Sequence, residues 1–394
     1  MENFEFFTPT RMIFGRDTHL QVGSIIKKYG FKKVLVHVGG SSAKKSGLLD
    51  QVCHGLEAEG IDYLTLGGVQ ANPTLALARE GIRLCLEEKV DFILAVGGGS
   101  VLDSAKCIAD GAGNPEVDVW DYFLQKGMPG KALPVGTILT LSASGSEMSS
   151  SCVITNEETG FKRGFNSETH RPLFSICNPE LTYSVNKFQT GCGTVDIMMH
   201  TLERYFSKTR ETVLTDRIGE GILKSVIEAG RIADKEPNHY QARATLMWAG
   251  SLSHNGLTSA GRDFSMQVHQ LEHELSGMYP RIAHGAGLAA LWPSWARFTY
   301  SLDVNRFAQY AVNVWNLDMD FENPVKTALA GIQATEDFYR SLGMPVTLKE
   351  LEVEPERIEE MAEKCTNFGK RTLPGIRELG KDEMVEIYKM AMGE

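Results

Sequence analysis

Asp196 and His200 stand four residues apart in the stretch TVDIMMHTLERYF (194–206), whose other positions are mostly apolar. At helical spacing the two share one face. An acid and an imidazole on a greasy helix are costly to bury unless something pairs with them. A second pair at the same spacing, His269 and His273, lies in QVHQLEHELSGMYPRIAHGAG (267–287), and His284 stands in the loop expected after that helix, just before Gly285. One carboxylate and several imidazoles, with no cysteine among them, suit a divalent cation such as Fe2+ or Zn2+. Spacing alone leaves open which of His269, His273 and His284 are ligands. Glu203 and Glu272 are close enough in sequence to orient those imidazoles, or are plain helix-surface acids. The remaining histidines, at 19, 37, 54, 170, 239 and 254, are expected to be hydrogen-bonded core or surface residues.

Two glycine loops suggest a second kind of chemistry. In AVGGGSVLDSAK (95–106) three glycines follow an apolar run and Ser100 opens a helical pattern. Glycines let backbone approach a ligand, and a helix N-terminus offers free N–H groups, so the loop suits a pyrophosphate. It is neither GxGxxG nor a P-loop, and a plain tight turn is the competing reading. The loop HVGGSSAKKSG (37–47) has Gly39, Gly40, Ser41 and Ser42 followed by Lys44 and Lys45, where an NAD-preferring fold often places an acid for the ribose 2′-OH. With no carboxylate and with hydroxyl and ammonium donors at hand, NADP(H) is expected over NAD(H). The hydroxyl-rich TILTLSASGSEMSS (137–150) is a further candidate to line a cofactor, and TGFKRGFNS (159–167) reads as a hairpin turn presenting Lys162.

These groups need elements to hold them. Apolar runs at 32–40, 62–68, 91–100 and 133–142 alternate with helical patterns at 47–60, 73–89 and 101–113. That is the grammar of a parallel sheet covered on both faces. From about Val185 the pattern turns helical: 187–207, 211–234, 238–259, 262–277, 285–301, 303–316, 322–342, 354–366 and 381–393. The expectation is an α/β domain over 1–184 and an all-helical, metal-binding domain over 185–394, with a ligand in the cleft between them. The 394 residues are too many for one simple core, and the composition, 42% hydrophobic and 23% charged, is that of an ordinary globular chain. A net charge of −10, with no basic stripe, excludes a typical nucleic-acid binder. No apolar run approaches a membrane span and the first residues do not read as a secretory leader. Seven cysteines with no CxxC pair argue against a disulfide framework, so a reduced, cytoplasmic setting is expected.

Taken together, GGGSVLDSAK (97–106), ASGSEMS (143–149), DIMMHTLE (196–203) and HQLEHELSGMYPRIAHGAGLA (269–289) resemble the iron-containing (group III) alcohol dehydrogenases, and within them the NADPH-dependent butanol dehydrogenase and aldehyde reductase branch. The resemblance covers nearly the whole chain in motif order. It implies an N-terminal Rossmann-like domain and a C-terminal helical domain, the dehydroquinate synthase-like fold, and often a homodimer. It implies that Asp196, His200, His269 and His284 hold one divalent metal, Fe2+ ahead of Zn2+. His273 would lie by the nicotinamide and substrate as a catalytic group, and Asp103 would be close to the cofactor and catalytic. Gly97, Gly98, Gly99 and Ser100 would grip the pyrophosphate, and Gly39, Gly40 and Ser41 would meet the 2′-phosphate. Asn72, Thr140, Leu141, Ser144 and Lys162 complete the expected NADP(H) contacts. The "ASGSE" tract departs from the usual Thr-Gly-Ser-Glu but keeps a hydroxyl at Ser144. The implied activity is hydride transfer between NADPH and small aldehydes or alcohols. The main alternative is an NAD-dependent, glycerol dehydrogenase-like polyol oxidoreductase. A metal hydrolase would leave the glycine loops unexplained, and a non-catalytic NADP-binding protein would leave the Asp/His set unexplained. Trp248, Phe264, Met266, Met278 and Trp292 are guesses at pocket lining, and FEFF (4–7) hints at strand pairing across a dimer.

Overall fold

The structure, a computed structural model, describes residues 1–393. The chain divides into two compact units, one of Phe7–Ser184 and one of Met1–Phe6 with Val185 onward. In the first unit six strands form one parallel sheet. They are β1 (Arg11–Phe14), β2 (Lys33–Gly39), β3 (Asp62–Val69), β4 (Phe92–Gly97), β5 (Val135–Leu139) and, after the hairpin strands β6 (Ser151–Asn156) and β7 (Phe161–Asn166), β8 (Phe174–Cys177). The sheet order is β1-β8-β5-β4-β2-β3, and β6 pairs with β7 antiparallel in a separate ribbon. Strands β4 and β5 are buried along their whole length, which is why they read as unbroken apolar runs. Helices Leu75–Glu88 and Gly99–Gly113 pack closely: a methyl at Gly81 would sit 2.4 Å from Ile108 Cδ1, and one at Gly111 2.2 Å from Ile82 Cδ1.

Four of the strands match the apolar runs read from sequence. Strands β1, β6 and β8 do not appear in that reading. β1 and β8 have four residues each, and the segment joining β5 to β8 holds a hairpin instead of a crossover helix, so no strand–helix alternation announces them.

The second unit is helical. Its longer helices are Lys187–Tyr205, Val213–Lys235, Tyr240–His254, Gln267–Met278, His284–Thr299, Val304–Trp315, Pro324–Ser341, Ile358–Cys365 and Lys381–Ala391. Its core is aromatic around Phe206, which stacks on Phe307 at 4.2 Å and meets Trp292 and Tyr310. Trp292 is fully buried there, so it is a core residue and does not line a pocket. A buried ion network ties the end of helix Lys187–Tyr205 in place. Arg306 donates to the Tyr205 carbonyl and to Asp216, and Arg262 donates to the Arg204 carbonyl and to Asp216. Two guanidiniums thus satisfy carbonyls that a helix C-terminus leaves open.

The first six residues group with the helical unit, although the reading by domains placed them with the sheet. Glu2 N–H donates to the Gly261 carbonyl at 2.8 Å, and no strand forms over 4–7. Among the described residues no helix is long and apolar enough to cross a membrane, and all seven cysteines are free thiols.

One buried imidazole links sheet and helix in the first unit. His37 on β2 has Nδ1 2.9 Å from the Leu66 carbonyl and Nε2 2.9 Å from Ser104 Oγ. The carbonyl only accepts, so Nδ1 carries the proton and Nε2 accepts from the serine. Burial pushes this imidazole down from 6.5 to about 4, against a smaller opposing effect of the Leu66 carbonyl. Its folded pKa is depressed, so its contribution to stability is full above pH 6.5 and is lost as pH falls towards about 4. The stability difference between wild type and His37→Gln, read from urea midpoints, is therefore expected to be constant near pH 7 and to shrink steadily below pH 6.5. A difference that stays flat down to pH 4 contradicts the assignment.

Candidate functional site

Helix Lys187–Tyr205 starts on Asn186, whose side chain accepts from Gln189 N–H at 2.8 Å, and from Thr190 to Tyr205 it is buried all round. Asp196 and His200 are in its middle, with His200 Nδ1 3.4 Å from Asp196 Oδ1. Helix Gln267–Met278 brings His269 Nε2 to 3.6 Å from the same oxygen, and His284 Nε2 lies 3.8 Å from it. His284 is the first residue of helix His284–Thr299 and is not in a loop, because Ala283 already takes the N-cap position. One carboxylate oxygen is thus faced by three imidazole nitrogens from three helices.

Two further carboxylates orient the rings. Glu203 accepts from His269 Nδ1 and from the backbone N–H groups of Val268 and His269. Glu272 accepts from His284 Nδ1. Each ring therefore turns its Nε2 toward Asp196, an arrangement familiar where an acid fixes the tautomer of a metal-binding histidine. Asp196 Oδ1, His200 Nδ1 and His269 Nε2 are buried without a hydrogen-bond partner. Orphaned buried polar atoms are rare and costly, and a divalent cation is the one group that would satisfy an oxygen and several nitrogens together. The donor set fits such an ion. Burial and the neighbouring imidazoles of His254 and His269 hold His200 well below the usual range. For His269 burial acts downward, but Glu203 and Asp196 outweigh it and raise the group to about 9 in the absence of an ion.

His273, one turn beyond His269, is buried and has its ring centroid 5.8 Å from that of His284. His254 was expected to stand apart from the site. It stacks on His200 at 4.0 Å between centroids. It ends a different helix, Tyr240–His254, and no sequence spacing connects it to the others.

The residues expected to hold a cofactor lie in the first unit. Gly97 closes β4, and Gly98 is the N-cap of helix Gly99–Gly113 without any side-chain cap. Thr140 N–H donates to the Gly97 carbonyl at 3.0 Å. A Cβ on Gly98 would come 3.2 Å from Leu141 Cβ, and one on Gly99 would come 2.3 Å from Ser144 Oγ. Gly39 ends β2, with Val101 3.6 Å from where its Cβ would be, so the Gly39–Ser41 loop adjoins the Gly97–Ser100 turn. Asn72 takes the left-handed conformation with φ of 60°, and the next residue's carbonyl accepts from Thr155 N–H. Thr155 is the register partner of Lys162, which is on β7 and buried, so Asn72 adjoins the strand pair that carries Lys162. The Asp103 carboxylate accepts from Ser146 Oγ at 2.6 Å and from Val153 N–H at 3.1 Å, so both of its oxygens are engaged.

Comparison with known proteins gives the family. The family model "Iron-containing alcohol dehydrogenase" matches residues 9–179, and that of the C-terminal part of the same family matches 190–392. The NADH-dependent butanol dehydrogenase A of Clostridium acetobutylicum is 40% identical over 99% of both chains. The NADPH-dependent aldehyde reductase YqhD of Escherichia coli is 37% identical over 99% of this chain and 100% of its own. The crystal structure of an NADH-dependent butanol dehydrogenase A from Thermotoga maritima superposes with a TM-score of 0.95 at 36% identity, covering 99% of each chain. What the glycine turns and the imidazole set imply, a metal- and nicotinamide-dependent oxidoreductase, thus has a family: this chain belongs to the iron-containing alcohol dehydrogenases. Within that family its relatives are alcohol dehydrogenases and aldehyde reductases.

Close packing fixes where His284 stands. A methyl on Gly285 would lie 2.2 Å from the Cys192 carbonyl oxygen, on the helix that carries Asp196. Backbone has to move to admit it. Gly285→Ala is expected to cost about 1–3 kcal/mol of stability, the usual range for overpacking, measured by urea unfolding. An unchanged midpoint would show that the two helices have room to separate.

Proposed function

We propose that the chain is an NADP(H)-preferring aldehyde reductase and alcohol dehydrogenase for small, butanal-like substrates, with one divalent metal, Fe2+ ahead of Zn2+. Asp196, His200, His269 and His284 would hold the metal. The observation that carries this reading is the cluster of buried, partnerless atoms, Asp196 Oδ1, His200 Nδ1 and His269 Nε2, beside rings whose other nitrogen is held by an acid. When bound, the cation polarises the substrate oxygen and the cofactor supplies the hydride.

The chain's own residues do the rest. Glu203 and Glu272 hold the Nδ1 protons of His269 and His284, which keeps each Nε2 lone pair directed inward. Asp196 brings one negative charge to a set of neutral imidazoles, leaving the site net positive once loaded and able to stabilise a developing alkoxide. His273 lies one helical turn beyond His269, with its ring 5.8 Å from that of His284. In the oxidising direction it takes the alcohol proton and passes it to solvent, since imidazole titrates in the useful range. Gly97 to Ser100 would offer the pyrophosphate the backbone N–H groups of a helix start. NADP(H) preference rests on Gly39–Ser42, which lack a carboxylate, followed by Lys44 and Lys45. Relatives named as NADH-dependent favour the competing cofactor, so the two are tested side by side.

With butanal as substrate, NADPH is expected to give a kcat/KM about tenfold or more above NADH, the discrimination of a lost charge-assisted contact. A chelator is expected to abolish turnover, and added Fe2+ or Zn2+ to restore it. NADH preference would overturn the 2′-phosphate reading. Activity that survives metal removal would overturn the metal. Asp196→Ala is expected to retain no metal by elemental analysis. Glu203→Gln is expected to bind it about 10–100-fold more weakly, read by chelator competition. His273→Ala is expected to keep its metal and lose the pH dependence of alcohol oxidation. Full activity across pH in that variant would remove His273 from the proton path.

A further inference from the structure

Between β5 and β6 the chain from Ser144 to Ser150 forms no strand or helix, so its carbonyls are not paired in a ladder. Six consecutive carbonyls, from Ser146 to Ser151 at the start of β6, accept from side chains. Those of Ser146 and Ser151 accept from Lys106 Nζ at 2.8 Å each, and that of Ser149 from the same ammonium at 3.2 Å. Ser175 Oγ serves Glu147, Arg171 serves Met148 and His170 Nδ1 serves Ser150. Lys106 Nζ also donates to Ser146 Oγ at 2.8 Å and reaches Ser149 Oγ at 3.5 Å. Lysine is almost never fully buried, yet Lys106 is 1% exposed. Its neutralising charge arrives through a hydroxyl: Ser146 Oγ accepts from Lys106 and donates to Asp103 Oδ1 at 2.6 Å. Burial pulls the ammonium's pKa down and Asp103 opposes this.

We infer that Lys106 is a positioning residue for cofactor binding, its buried ammonium acting as an internal cation that moulds the Ser144–Ser150 loop against the glycine turn. The inference rests on the reading of Gly97–Ser100 and Ser144 as cofactor contacts. Lys106 belongs to the helix that begins at Gly99, so it ties the loop to the element whose N-terminus receives the pyrophosphate. The fit is close. Ser144 Oγ fills the space a Cβ on Gly99 would need, and Leu141 covers Gly98. A loop that relaxed by a fraction of an ångström would close the turn or pull its lining away. A compact ammonium with three donors suits a cage of carbonyl and hydroxyl oxygens, where the planar fork of arginine does not.

The test compares Lys106→Met, which keeps the stem and removes the charge, with Gly99→Ala, which crowds the turn directly. NADPH Kd is read from the cofactor's fluorescence, kcat at saturating NADPH from absorbance, and folding from the thermal midpoint. Lys106→Met is expected to weaken NADPH about tenfold, the scale of lost charged hydrogen bonds, while kcat at saturation changes much less. Gly99→Ala is expected to weaken NADPH as well. If Lys106→Met lowers only the thermal midpoint and leaves Kd alone while Gly99→Ala raises it, Lys106 is structural and the inference falls. If neither variant moves Kd, the reading of the turn as the cofactor site falls and takes this one with it. Should Lys106→Met not fold, Ser146→Ala and Ser149→Ala each remove one hydroxyl from the cage. A raised NADPH Kd in either supports the role, and wild-type Kd in both overturns it.

Discussion

Asp196 Oδ1 is buried with imidazole nitrogens at 3.4, 3.6 and 3.8 Å and accepts no hydrogen bond. A charge in that position is tolerable only if something neutralises it, and much of the helical unit is arranged around that need. Three helices converge to present the rings. Glu203 and Glu272, themselves buried, fix the ring orientations. Arg262, Arg306 and Asp216 hold the end of the helix that carries Asp196 and His200. The aromatic core around Phe206 stands directly after that helix. The imidazole cluster is therefore held in place by buried groups behind it.

The sheet unit solves a different problem with similar means. The glycines at 97–99 let Val101, Leu141 and Ser144 pack closely against the turn that opens the helix. Glycine cannot hold neighbouring chain in place, so the surroundings must. Lys106, Asp103, His170, Arg171 and Ser175 do so by taking up the polar groups of one loop. His37 does the same between β2, β3 and the helix that starts at the turn. In both units the polar groups at the site are few, and the buried polar groups behind them are many.

The parallel sheet and the succession of helices were legible in residue order, because continuous apolar runs and helical periodicity are local signals. Seeing the Asp196/His200 and His269/His273 pairs required only the rule that residues four apart share a face. Strands β1 and β8 were not legible. Four residues carry little pattern, and their place in the sheet depends on partners distant in the chain. The attachment of Met1–Phe6 to the helical unit is likewise a long-range fact, made by a hydrogen bond to Gly261.

By itself the sequence determined most of the element types, the glycine turns and the set of residues from which a metal centre and a nucleotide site can be made. It did so because helical spacing, glycine's freedom and side-chain chemistry act over a few residues. Only the tertiary structure decided that His269 and His284 face Asp196 together. It also brought His254 against His200, engaged both Asp103 oxygens with Ser146 and Val153, and sent Trp292 into the core. Those outcomes depend on which helices meet and at what height, and packing between segments far apart in sequence sets both.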